Sequence, residues 1–380
     1  MFQNFQKKIK KTLLNLPGYH TNRKILVIES DDWGAVRMPS KEIYNEFIKR
    51  GIRVDKDPYC RYDSLATAED LEALFELLMT FKDKNNRNVI LTANTIMANP
   101  DFEKIEKFGY EKYFYEPFTE TLKRKTLTQN SYELWEQGIK SGIFKPQFHG
   151  REHLYVKKWM HQLQKNDELT HLAFKMRTYG LTSDVDSSIK VNYMGALNSG
   201  LKSDIVSFNQ ILNEGLEMFE NFFGYKSLSF IPTTYTWHPD IEHNLRNNGV
   251  QFLQGMVHQR IPLDDDCTFR YKKNNFLGKK SKSELMYLSR NVYFEPSNFK
   301  NNFDVVGDAL NAIKIAFNCR KPVVISMHRL NFIGAIDESN RNMNLDLLET
   351  LLTEVMRIYP TIEFMSSDEL GNLIKTEKNG

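Results

Sequence analysis

Short runs of β-branched and aliphatic residues alternate with helix-patterned stretches along nearly the whole chain, and that rhythm admits few architectures. KILVIES at Lys24–Ser30 precedes the helical SKEIYNEFIKRG, and TAEDLEALFELLMTF precedes a second strand, NVILTANTI. In the second half SLSFIPTTYTW reads as a strand before the helix PDIEHNLRNNG. The extended LMYLSRNVYF, the helix VVGDALNAIKIAFN, the strand PVVISMH, the helix LDLLETLLTEVMRIYP and a closing strand IEFMSSDEL complete the series. Such a pattern predicts an α/β fold with a mainly parallel sheet, whose reactive groups gather at the carboxyl ends of the strands. The stretch 161–225 is more helical and polar and reads as an insertion or cap. With no internal repeat, low-complexity tract or long linker, residues 23–376 form one domain behind a basic segment, 1–22.

With 41% apolar residues in 380, the chain can bury a large core. Its 51 Lys and Arg nearly balance 48 Asp and Glu, and a net charge of +3 makes too weak a field to argue for a nucleic-acid partner. Cys60, Cys267 and Cys319 are odd in number and widely spaced, which fits a reducing compartment better than a disulfide framework or a thiolate zinc site. The first segment sets Phe2, Phe5, Ile9, Leu13 and Leu14 at roughly helical spacing, with Lys7, Lys8, Lys10 and Lys11 between them. It predicts a short basic amphipathic helix, packed on its own domain or weakly attached to an anionic membrane surface. It lacks the continuous apolar run of a secretory signal, so the expected location is cytoplasmic, peripheral at the inner membrane surface in the second reading.

Three constellations carry chemistry. Asp31 and Asp32 directly follow an apolar strand and precede Gly34. Neighbouring residues at a strand end point in different directions, so one carboxylate can ligate a metal while the other acts as a base. Alone, an Asp pair more often caps a turn or helix. His149 and His153 stand four apart after FKPQF. If the chain turns helical there, both imidazoles share a face and can reach one ion. His328 ends PVVISMH, where an imidazole would reach the same mouth as the Asp pair and serve as a general acid.

In this order and spread, Asp31-Asp32, His149-x-x-x-His153 and His328 resemble the polysaccharide deacetylases, the carbohydrate esterases that include chitin and peptidoglycan deacetylases. The resemblance runs from Lys24 to the last helix. It implies a distorted (β/α) barrel of about seven strands. It also implies Asp31 as catalytic base, Asp32, His149 and His153 as ligands of one divalent metal, and His328 as acid. The metal implied is zinc first, with cobalt, nickel or manganese as alternatives. A water polarised by the ion would attack the acetyl carbonyl, Asp31 taking its proton and His328 protonating the leaving amine.

The chain departs from the family pattern. Glu29-Ser30 stand where Thr-Phe is usual, and Phe230-Ile231-Pro232-Thr233-Thr234-Tyr235 replaces an Arg-Pro-Pro-aromatic stretch. The arginine that steadies the base is missing there; Arg290 is the candidate replacement, and Glu295 the candidate partner of His328. Trp33, Tyr235, Trp237 and His238 fall where sugar contacts are expected, with core packing the alternative for both tryptophans. The substrate implied is an N-acetylated sugar or glycan precursor, nucleotide-linked or lipid-linked. Two other readings compete: an HxxEH zinc protease with Glu152 as base, and a carbohydrate-binding barrel without activity.

Overall fold

A computed structural model of the protein describes residues 2–124, 128–182, 185, 192–265, 268–299 and 303–379. Among these residues nine strands form one sheet: β1 (Lys24–Trp33), β2 (Leu91–Ile96), β3 (Phe144–Gly150), β4 (Ser229–Phe230), β5 (Phe252–Gly255), β6 (Met286–Ser289), β7 (Val292–Tyr293), β8 (Val323–His328) and β9 (Ile362–Met365). Every pairing is parallel, in the order β6-β5-β4-β3-β2-β1-β8-β7. β9 lies beside the first half of β1, below β2.

The two ends of that path are joined by only Arg290 and Asn291. Met286–Ser289 pairs with β5, and two residues later Val292 and Tyr293 pair with Ile325 and Ser326 of β8. The expected single strand LMYLSRNVYF is therefore one segment that leaves β5 and joins β8, curling the sheet into an α/β barrel with seven positions around it. The side chain of Asn291 bridges the crossing, accepting from Val324 N at 2.9 Å and donating to Pro322 O at 2.9 Å.

Alternation along β1 sorts its residues between two cores. Leu26 and Ile28 face outward into the main core shared with the surrounding helices. Ile25 and Val27 face inward with Phe252, Met286, Leu288, Val324 and Met365, over Leu370 and Ile374 of the C-terminal helix Ser367–Asn379. Both faces of a parallel barrel strand are buried, which is why these strands read as continuous apolar runs. On the inward face, Glu29 and then Asp31 follow Val27 above this apolar floor.

Several boundaries differ from the sequence reading. The strand in SLSFIPTTYTW is only Ser229–Phe230, because a tight turn with Thr234 and Tyr235 at φ +55° and +56° ends it. The strand in IEFMSSDEL stops at Met365, and Ser367 begins a helix. In the stretch 161–225, the helix Lys202–Phe223 is the crossover from β3 to β4 and buries Ile205, Phe208, Leu212, Leu216 and Phe219. The first segment forms α1 (Phe2–Asn15). Cys60 and Cys319 are free, and Cys267 lies outside the described residues.

Candidate metal centre

Two bulges shape the mouth of the barrel. β1 carries one residue more than β2 between Ser30 and Trp33, and β3 carries one more than β2 between Phe148 and Gly150. Asp32 takes the left-handed backbone conformation, φ +71°, at a cost of about 1–3 kcal/mol. In an unbroken strand Asp31 and Asp32 would face opposite sides of the sheet. The bulge lets Asp32 meet His149 and His153 while Asp31 keeps the inward direction of Glu29. The histidines do not share a helix face: His149 is the extra residue at the end of β3, and His153 lies in the loop before the helix Val156–Gln164.

Asp32 Oδ1 lies 3.3 Å from His149 Nε2 and 3.3 Å from His153 Nε2. One donor atom from each of the three residues lies within 4.8 Å of the others, and all three residues are buried. His149 Nδ1 donates to Ile231 O at 2.7 Å, which turns its Nε2 toward the carboxylate. Burial pushes His153 down to about 3, so this imidazole is neutral. One carboxylate oxygen and two imidazole nitrogens thus converge on one point inside the protein, a donor set of the kind that holds a divalent cation. Tetrahedral zinc with bonds of about 2.0–2.1 Å places its ligand atoms roughly 3.3–3.4 Å apart, the separation of Asp32 Oδ1 from each imidazole here. The donor set therefore fits a divalent ion.

The second carboxylate is held from the other side. Arg290 donates Nη2 to Asp31 Oδ1 at 2.6 Å and Nη1 to Asp31 Oδ2 at 2.7 Å, with Nε on Glu29 at 2.5 Å. The same Nη1 reaches Tyr235 Oη and Ser326 Oγ, each at 3.1 Å. Asn94 Nδ2 adds a bond of 2.7 Å to Asp31 Oδ1. Burial pushes the Asp31 carboxyl up, but the charge and hydrogen bonds of Arg290, with His328 and His149 behind them, outweigh it and hold the group at about 2. His328 Nε2 stands 3.7 Å from Asp31 Oδ2, while its Nδ1 pairs with Glu295, itself bound by Asn331. Burial disfavours the imidazolium, yet Glu295, Asp31 and Asp32 raise His328 to about 9. At neutral pH one group is ionised and the other protonated.

The remaining residues sort by burial. Tyr235 reaches the site through Arg290. Trp33 does not: its ring is fully buried, donates to Ser30 Oγ at 3.0 Å and packs edge-on against Trp135 and Phe144. Trp237 is likewise buried, its indole donating to Glu242 at 3.0 Å. For both, core packing replaces sugar contact, because each follows a backbone turn that sends the ring behind the sheet. His238 caps the turn Pro239–Ile241, accepting from Asp240 N. Glu152 is tied to Arg151 Nε at 2.7 Å and Tyr113 Oη at 3.0 Å, outside the Asp-His-His group. Sequence reasoning missed Arg37, Tyr59 and Asn94. Arg37 Nη2 donates to the second Asp32 oxygen at 3.4 Å, and its guanidinium lies 5.0 Å from the centre of the Tyr59 ring, which meets His328 edge-on. Asn94 had a usable signal, an amide at the end of the strand beside the Asp pair; Arg37 comes from a loop and Tyr59 from the short helix Pro58–Tyr62, and neither had one.

Fold and donors together define an α/β barrel with a buried Asp-His-His group, able to hold a metal ion, at the carboxyl ends of its strands. No family model matches the sequence, and no curated protein does. Among solved structures it is similar to a Mycobacterium smegmatis protein described as a polysaccharide deacetylase, at 10% identity over 95% of this chain and 94% of that one, TM-score 0.44. A Pseudomonas aeruginosa PAO1 protein of the same description gives 8% identity over 92% and 91%, TM-score 0.46. A Parabacteroides distasonis protein described as a glycoside hydrolase/deacetylase gives 10% over 94% and 73%, TM-score 0.48.

Proposed function

We propose that the protein is a metal-dependent carbohydrate deacetylase, a hydrolase that removes the acetyl group of an N-acetylated sugar or glycan precursor. One observation carries the reading: an ionised carboxylate clamped by Arg290 and a protonated imidazole held by Glu295 face each other beside the convergent Asp32, His149 and His153. A divalent ion, zinc by its donor set, supplies Lewis acidity and lowers the pKa of water there. Asp31 accepts the proton of the attacking water through an oxygen that Arg290 keeps oriented. His328 donates Nε2–H to the leaving amine, and Glu295 stabilises the imidazolium until that transfer. Arg37 holds the other oxygen of Asp32, leaving Oδ1 to the ion.

The protease reading requires Glu152 as base, and that carboxylate is occupied by Arg151 and Tyr113. Asp31→Asn should keep the metal and lose about a hundredfold or more in acetate release. Glu152→Gln should retain both. Full acetate release by metal-loaded Asp31→Asn defeats the assignment; peptide cleavage that disappears only in Glu152→Gln establishes the protease.

For location we propose attachment to an anionic membrane surface through α1. The helix is fastened to the barrel by polar contacts, Lys11 to Asp308 at 3.1 Å and Asn291 to Asn15 at 3.0 Å. Ile9 and Leu13 of the helix, and Leu16 just past its end, face outward with exposures of 44%, 60% and 52%. That orientation inverts the usual one for a helix packed on its own domain. No helix among the described residues is long and apolar enough to cross a membrane.

A further inference from the structure

Between α1 and the crossing segment of β6 and β7 lies a cavity of ≈ 240 Å³, outside the metal centre. Leu14, Val257, Phe276, Leu277, Val292 and Ala312 give it apolar walls. Lys11 and His258 line its rim; burial, with Lys273 and Lys10 near enough to add to it, holds His258 below its usual pKa, so the positive charge there is that of the lysines. Asp308, the acidic group in the lining, is already paired with Lys11. The cavity opens beside the helix and its C-terminal end, where Leu13 and Leu16 face outward, so an apolar path and the lysines at the rim coincide. Its lining also includes Arg290, which clamps Asp31, and Ser326, which accepts from the same guanidinium.

We propose that this cavity binds a hydrocarbon chain of an anionic membrane lipid, with the lipid phosphate at the rim beside His258, where Lys10 and Lys273 supply positive charge. The inference rests on the membrane reading of α1 for the source of the chain, and on the cavity for everything else. Allowing roughly 30 Å³ per methylene-sized group, the space holds about eight. Each buried methylene contributes about fourfold in affinity, so binding should steepen with chain length and then level off.

Alkyl phosphates from butyl to dodecyl, each below its micelle concentration, are titrated calorimetrically into the full chain. The expected result is one site whose affinity rises about fourfold per carbon and flattens near eight carbons. Val292→Phe, which fills the wall, and Met256→Trp, which narrows the rim, should each weaken octyl phosphate at least tenfold with the melting temperature unchanged. No binding, no dependence on chain length, or wild-type affinity in both folded variants overturns the site. In a second arm, phosphatidylglycerol vesicles carrying a photoactivatable acyl chain should cross-link to the segments around Val292 and Phe276, and phosphatidylcholine vesicles should not. Binding of alkyl phosphates without that cross-link overturns the bilayer as source. Replacing Leu13 and Leu16 by Glu should abolish vesicle binding and spare octyl phosphate. If vesicle binding persists instead, the membrane reading of α1 fails while the cavity stands.

Discussion

Replacing Arg290 by alanine probes the electrostatics on which the site depends. The guanidinium is fully buried and serves two buried carboxylates, Glu29 and Asp31. Burial alone raises Asp31; Arg290 reverses that and brings it from the usual 3.8 to about 2, a stabilisation of about 2 kcal/mol. Stranding a charge in the interior costs more than the pair contributed, about 3–5 kcal/mol, because the survivor stays desolvated. With an unfolding entropy of about 2 cal/mol/K per residue, a chain of this size should melt about 4–6 °C lower. The pH dependence follows by sign. In the wild type, the lowered pKa of Asp31 contributes stability that is present above pH 3.8 and lost as pH falls toward about 2. In the variant, burial without Arg290 lifts Asp31 above its usual value, so acidification protonates a stranded charge and relieves it. The difference between the two proteins should therefore be largest near pH 7 and shrink near pH 4.5. Differential scanning calorimetry of both, with chelator present throughout, measures it. A loss below about 1 °C, or a difference that does not change with pH, would refute the clamp.

Arg37→Gln frees the second oxygen of Asp32 and should weaken metal binding about 10- to 100-fold in a chelator competition; unchanged affinity would remove Arg37 from the site. Glu295→Gln should bring the His328 titration from about 9 down toward 6.5 or below, read by NMR on the metal-free chain. Because the wild-type value is raised, its stabilisation is full below pH 6.5 and lost as pH rises through about 9; an unmoved titration denies the pairing. Gly34→Ala should cost about 2 kcal/mol or more in urea unfolding, since Gly34 sits at φ +84° and an added Cβ would meet Ile96 O at 2.3 Å. A cost under about 1 kcal/mol would mean that the turn after the Asp pair relaxes freely.

The sequence by itself determined the βα rhythm, the parallel sheet and which strands end in Asp, His and His. Apolar periodicity and strand-end chemistry are local properties, written in ten-residue windows such as KILVIESDDW. Tertiary structure decided how those ends aim. A one-residue bulge moves a side chain to the other face of a sheet, and the bulges in β1 and β3 are defined only against β2 as a neighbour. Trp33 and Asp32 are adjacent in sequence, yet one packs the core and the other faces two imidazoles. Arg290 lies 259 residues from Asp31 and becomes its partner only because the chain crosses from β5 to β8 at that point, closing the barrel. Contacts across that distance depend on which strands become neighbours, and that is settled by the packing of the whole sheet rather than by any segment of it.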